Sequence, residues 1–339
     1  MQGTNRSIAV AVRGAAHLVV AALLIVGTLA AGPAAAQGFP NRAIKLVYPF
    51  PAGSATDLVY RPVADFMTRM LGQSVIMDAK PGGGSMVASL YVKTQPADGY
   101  TIYAVSNSVT EKSVIPNAQI DIRKDFTPIA PSNLAPLVVL VNPDQVKATT
   151  MAELVAEAKA KPGQINYASY GVGSGSHMFM EILLNSTGAK MVHVPYQGTA
   201  QAVSETAAGR VQVTATIVAT ARSFVSEFGG SGKLRMIGES LGERTPLLPN
   251  TPGMKEAGYP GIDYPLWGGY VGPVGTPKEA VDVLNRAINA SLKDPTIMDI
   301  YKRFGLEGKG GSPEDLTRLI NTEFDAYVRL IRDTGLKLD

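Results

Sequence analysis

Short apolar runs alternate along this chain with longer stretches in which apolar residues recur at every third or fourth position. Ile44-Lys45-Leu46-Val47 reads as a strand. Beyond a loop at residues 48–57, Val59, Val63, Phe66, Met67, Met70 and Leu71 keep helical spacing, and Gly72 stops the pattern as a C-terminal cap. Pro62 lies inside that pattern and must either kink the helix or mark a late first turn. Strand signals return at residues 74–77 and 101–105, with a Gly-rich turn at residues 81–84 and a helix over Met86–Lys93 between them.

Leu137–Val141 is a continuous apolar run, as expected of a strand buried on both faces. Thr150 and Glu153 form a capping box that opens a helix, and Pro162-Gly163 closes it. Strand and helix signals continue at residues 192–194, 200–208, 211–216, 234–237 and 268–271. Thr276 as cap, with Pro277 in the first turn, starts a helix to about Leu292, and Ser312-Pro313-Glu314-Asp315 starts the last one likewise. The alternation predicts an α/β chain of two domains, each a mainly parallel sheet flanked by helices. Ligands of such folds sit in the cleft at the strand ends.

Arg6 and Arg13 precede an apolar stretch from Leu18 to Ala31, and Ala34-Ala35-Ala36 supplies a small-x-small cleavage pattern. Residues 1–36 therefore read as a signal peptide cut before Gln37, and a freely soluble periplasmic protein is expected. Removing those 36 residues from 339 leaves 303, and losing two Arg lowers the formal charge from +3 to +1, which gives nucleic-acid binding no support. With 0 Cys there is neither a lipobox nor thiolate chemistry.

Two loops carry the candidate chemistry. Residues 48–57 (Tyr-Pro-Phe-Pro-Ala-Gly-Ser-Ala-Thr-Asp) and 167–177 (Tyr-Ala-Ser-Tyr-Gly-Val-Gly-Ser-Gly-Ser-His) each follow a strand and open a helix. Unpaired N–H groups at a helix start favour an anion, and two such mouths facing each other would grip a small carboxylate. Neither loop has Arg or Lys, so recognition would rest on backbone N–H donors and hydroxyls. Ser54, Thr56, Ser174 and Ser176 could also serve as N-caps. Asp57 is read as shaping its loop, because a carboxylate repels an anionic ligand. His177 and Glu181 at i, i+4 are too few for a metal, so no metal and no cofactor are expected, and His177 is read as orienting its loop. Tyr170 and Tyr196 read equally as core-edge aromatics or as a bed for a ring or alkyl body, and Trp267 as a hinge residue. Ser54, Ser85 and Ser174 are not centred in Gly-x-Ser-x-Gly and no His-Glu-x-x-His occurs, so catalysis is not expected.

Residues 49–57, Lys80-Pro81-Gly82-Gly83-Gly84, Pro96-Ala97-Asp98-Gly99-Tyr100-Thr101, Asp125-Phe126-Thr127-Pro128-Ile129, residues 167–177, His193-Val194-Pro195-Tyr196-Gln197-Gly198 and Gly272-Pro273-Val274-Gly275-Thr276-Pro277 occur in one order. That ordered set resembles the Bug-type substrate-binding proteins of tripartite tricarboxylate transporters. The resemblance implies a type II Venus-flytrap fold, with residues 37–138 plus 267–339 as one domain and 139–266 as the other. It implies a monomer that binds a small organic acid, a dicarboxylate or an aromatic acid, and hands it to membrane permease subunits. By the same resemblance the ligand is held by Phe50, Ala52, Gly53, Ser54, Ala55, Thr56 and Asp57 in the first loop and by Tyr170, Gly171, Val172, Gly173, Ser174 and His177 in the second. Further contacts would come from Ser106, Asn107 and Ser108, from Tyr196, Gln197 and Thr199, and from Thr216. Ala52 stands where relatives carry Gly, and Thr216-Ile217 where they often show Asp or Asn, which suggests a more apolar or differently sized acid than an amino acid. A periplasmic hydrolase using a loop serine and a ligand-sensing partner of a signalling receptor are the alternatives.

Overall fold

The computed structural model describes residues 38–54 and 56–338, so the signal-peptide reading and Ala55 lie outside the described residues. The chain opens with β1 (Ile44–Tyr48), α1 (Asp57–Leu71), β2 (Val75–Ala79), α2 (Met86–Lys93), β3 (Thr101–Ser106), α3 (Asn107–Ser113) and β4 (Phe126–Ala135). A second sheet then takes over with β5 (Leu137–Val141), α4 (Met151–Ala160), β6 (Asn166–Ser169), α5 (Gly175–Thr187), β7 (Val192–Pro195), α6 (Thr199–Ala207), β8 (Val213–Ile217), α7 (Val218–Ala221) and β9 (Arg235–Glu239). The chain returns through β10 (Leu266–Pro273), α8 (Lys278–Ser291), α9 (Pro295–Arg303), β11 (Glu307–Gly308) and α10 (Pro313–Thr334).

The sheet orders are β11-β4-β10-β3-β1-β2 and β7-β6-β8-β5-β9. β1 runs parallel to β2 and β3, and β6 runs parallel to β7 and β8. In contrast, β10 is antiparallel to β3 and β4, and β5 to β8 and β9. The sheets are therefore mixed, where a mainly parallel arrangement was expected. A parallel neighbour requires a crossover helix, and β5 and β10 enter their sheets from the other sheet without one.

Local chemistry explains most element ends. Gly72 caps α1 at φ +67°, and Pro62 sits within the helix without ending it. At α4 the Thr150 hydroxyl accepts the Glu153 N–H at 3.2 Å, but the Glu153 carboxylate takes the N–H and hydroxyl of Thr149, one residue earlier than the expected box. Thr276 does not cap α8: its hydroxyl donates to the Pro273 carbonyl at 2.7 Å, and Pro277 precedes the first turn. Ser312 and Asp315 form the complete capping box of α10.

The two sheets have separate cores, and α10 belongs to both. Leu316, Ile320 and Phe324 pack with Val47, Tyr103 and Trp267. Within the next two turns Tyr327 and Leu330, together with Leu338 beyond the helix, pack with Leu137, Tyr167 and Phe179. No helix among the described residues is long and apolar enough to cross a membrane.

Candidate functional site

The parallel strands bring their carboxyl ends to one edge of each sheet. In the first sheet the loop after β1 is largely self-satisfied. The Gly53 N–H donates to Asp57 Oδ2 at 3.3 Å, Ser54 N–H to the Pro51 carbonyl at 3.2 Å and Asp57 N–H to the Ser54 carbonyl at 3.0 Å. These amides are spent inside the loop, contrary to the expectation that they all point at a ligand. The reason is Asp57, buried at the first turn of α1, whose carboxylate pulls the loop onto itself. Arg61 holds that carboxyl below the usual range against the effect of burial, and the Gly53 N–H adds to it. The hydroxyls of Ser54 and Thr56 bond each other at 2.9 Å, which leaves one of their two protons to donate. Gly53, at φ +76°, makes the turn, and Phe50 at the rim stacks on Tyr60 with centroids 6.4 Å apart, next to exposed Ala52.

At the end of β3, Ser106 and Ser108 share a hydrogen bond of 3.0 Å. Asn107 between them turns away from this edge. Its Oδ1 accepts the Trp267 N–H at 2.6 Å, and its amide donates to the Glu323 carboxylate and to the Pro265 carbonyl. Glu323 also receives the Trp267 indole N–H at 2.9 Å and the Tyr327 hydroxyl at 2.9 Å, and Tyr327 bonds Tyr264 in turn. Burial pushes the Glu323 carboxyl up to about 7 although Thr110, Asn107, Trp267 and Tyr327 pull it down. Burial, and then the Glu323 charge, push Glu111 of α3 up to about 8. Asn107 thus ties β3, the returning strand and α10 together at the passage between the sheets. Glu323 was missed from sequence. Its signal is a carboxylate on the apolar stripe of Leu316, Ile320, Tyr327 and Leu330.

On the second sheet the loop after β6 is held by side chains. The Ser169 hydroxyl donates to the Gly171 carbonyl at 3.0 Å and the Ser174 hydroxyl to the same oxygen at 2.6 Å. The Gly173 N–H donates to His177 Nδ1 at 3.0 Å, so Nδ1 is unprotonated and the ring proton sits on Nε2. The rings of His177 and His193 stack with centroids 3.8 Å apart. Burial, aided by His193, drives His177 down to about 3, and burial drives His193 down to about 4, so both are neutral near pH 7. Because the Ser169 proton goes to Gly171, His193 Nε2 is the donor in its 2.7 Å bond to Ser169.

These braces leave the N–H groups of Val172, Gly175 and His177 without a hydrogen bond among the described residues. Gly171 and Gly173, at φ +137° and +70°, allow the turn, and Val172 is 43% exposed at its tip. The Tyr170 hydroxyl lies over the start of α5 beside Gly175, its own N–H donates to the Ser176 hydroxyl at 3.2 Å, and burial with the nearby Glu111 holds this phenol far above its ordinary value. Next along the edge, the Tyr196 N–H is bonded to the Ser169 carbonyl and the Gln197 N–H to Gln201. Thr199 and Thr220 share a 3.3 Å hydroxyl contact, and the fully buried Thr216 hydroxyl makes no hydrogen bond. The fold therefore gathers the sequence-predicted residues along two strand-end edges, with the side chains of Asn107 and Asp57 committed elsewhere. A groove of about 760 Å³ opens on another side, between α5, α10 and the irregular segment 261–265 before β10, and none of the strand-end loops lines it. Among the described residues no group of three or more His, Cys, Asp or Glu could hold a metal.

Residues 59–336 match the tripartite tricarboxylate transporter family receptor. The chain is 32% identical over 297 residues, 87% of each chain, to a protein of the tcbD-tcbE intergenic region of Pseudomonas sp. strain P51. It is 29% identical to BugT of Bordetella pertussis, over 95% of this chain and 98% of that one. Among solved structures, an R. palustris protein with adipate superposes with a TM-score of 0.72 at 29% identity, covering 88% of this chain and 99% of that chain. MatC of the same organism, with bound malate, gives 0.69 at 26% identity, with coverage of 86% and 100%. A TctC solute-binding protein from Polaromonas gives 0.76 at 25% identity, with coverage of 87% and 99%.

Proposed function

The chain belongs to the tripartite tricarboxylate transporter receptor family of periplasmic binding proteins, and on that premise we propose that it captures a small organic carboxylate between the strand-end edges of its two sheets. The observation that carries this reading is the braced loop after β6, whose shape is secured by Ser169, Ser174 and His177 while the amides of Val172, Gly175 and His177 stay available. A desolvated carboxylate is tolerable only where donors replace its water bonds, and pre-set amides at a helix start do so without reorganisation. Adipate and malate in two structural relatives support the carboxylate class.

The first sheet contributes the linked hydroxyl pairs Ser54–Thr56 and Ser106–Ser108, with Phe50 as the apolar wall. The second contributes Tyr170–Ser174, the 196–199 turn and the unpartnered Thr216 hydroxyl. Asp57, Asn107 and His177 hold this frame in place. The lobes are residues 37–138 with 267–339, and 139–266. The chain is exported by residues 1–36, acts as a monomer, and in its closed form passes the acid to permease subunits. A thermal-shift panel of mono- and dicarboxylates tests the reading, since a ligand at 100 times its Kd stabilises by about 2.7 kcal/mol. No shift with any acid, together with a shift on a neutral sugar or a metal salt, rejects it.

A further inference from the structure

Neither Gly-bearing loop carries a cation in its sequence, yet the fold brings one to the edge of the first sheet. α3 leaves β3 at that edge and carries Lys112 one turn beyond Ser108. The Lys112 side chain crosses Gly84, where an added Cβ would stand 3.1 Å from Cε and 3.8 Å from Nζ. It is half-buried and makes no ion pair among the described residues. The turn it crosses runs through positive φ at Gly82, Gly83, Gly84 and Ser85 (+126°, +58°, +58° and +78°). For Ser85 this conformation costs about 1 kcal/mol or more. In return its hydroxyl lies 2.6 Å from Ser108, which in turn lies 3.0 Å from Ser106. Three hydroxyls own three protons and these two bonds use two, so one proton is left to donate outward. The ammonium and that donor share one edge, beside the loop after β1.

We propose that Lys112 with the Ser85–Ser108–Ser106 hydroxyl chain binds the second carboxylate of a dianionic ligand, making the protein selective for dicarboxylates over monocarboxylates. The proposal rests on the carboxylate reading above and adds the charge count of the ligand. A compact ammonium beside Gly84, next in sequence to the first of three linked hydroxyls, suits a carboxylate, because the charge attracts it from a distance and the hydroxyl proton orients it. Neighbouring Glu111 does not cancel the charge near neutral pH, since burial keeps most of it protonated.

Calorimetric titration of the wild type, Lys112→Met and Lys112→Arg with succinate, glutarate and adipate, and with butyrate, valerate and hexanoate as chain-matched monoanions, tests it. Methionine keeps the apolar stem across Gly84 and removes only the charge. The expected result is a loss of about tenfold or more for the best dianion in Lys112→Met, with its matched monoanion changed by less than about twofold and Lys112→Arg close to wild type. Equal losses for both ligand classes, no loss for the dianion, or a wild type that takes monoanions as tightly as dianions overturns the Lys112 assignment while carboxylate binding stands. A wild type that binds none of the six acids overturns both. Unchanged melting temperatures of the two variants establish that the loss is local.

Discussion

Raising the pH from 6.5 to 8.5 should weaken this protein, and the buried pair Glu323 and Glu111 should account for it. In the unfolded chain both carboxyls are ionised throughout this range, whereas in the fold they titrate near 7 and 8. The native state thus holds protons the unfolded state lacks, and stability falls as pH rises while they are released. Their contribution is complete below the unfolded carboxylate range and disappears as pH passes through the folded values. Each retained proton contributes about 1.4 kcal/mol per pH unit, so the pair together should lose roughly 2–3 kcal/mol across the window. His177 and His193, neutral in the fold, act in the opposite sense only near their unfolded value, adding less than about 1 kcal/mol at the lower end of the window, so the fall is clearest between pH 7.5 and 8.5. Urea unfolding at pH 6.5, 7.5 and 8.5 can be followed by the fluorescence of Trp267, the only Trp, whose indole donates to Glu323. Glu323→Gln should flatten part of the slope, and Glu111→Gln added to it should remove the rest. A wild-type stability that stays level or climbs with pH, or a double variant with the wild-type slope, refutes the reasoning.

Three further outcomes follow from the geometry. His177 has a folded value near 3, below its unfolded one, so its contribution is full above pH 6.5 and lost on acidification, by about 3 kcal/mol at pH 4; His177→Asn, which can still accept the Gly173 N–H, should soften that acid limb in melts between pH 4 and 6.5. A methyl at Gly175 would stand 2.7 Å from Leu266 Cδ2 and 2.9 Å from the Tyr170 hydroxyl, so Gly175→Ala should destabilise by about 1–3 kcal/mol and weaken carboxylate binding, and an unaltered melt with unaltered affinity would contradict the packing described. Ser312→Ala removes one half of the α10 capping box and should cost about 1–2 kcal/mol in a chemical melt with no change in affinity.

What could be read from sequence was local. A Gly-bearing turn between an apolar strand and a helical repeat is encoded in about ten neighbouring residues, and both such loops stand where the pattern put them. The Ser312 capping box was legible for the same reason, but Glu153 chose Thr149 over its neighbour because two donors there met one carboxylate, and Thr276 turned to the Pro273 carbonyl instead of capping α8. The direction of β5 and β10 was not legible, since periodicity reports burial and says nothing about which way a strand runs. Asn107 stood among the ligand contacts because the family resemblance carries a strand-end contact onto residues 106–108. Its actual partners, Trp267 and Glu323, lie 160 and 216 positions away, beyond any local pattern. The Lys112 stem came to Gly84 by the same kind of long-range closure.

The 22 residues of α10 supply side chains to the interior of both halves of the molecule. Neither half can finish packing before that one helix docks. Loosening α10 therefore weakens both interiors at once, and the two halves share one point of failure.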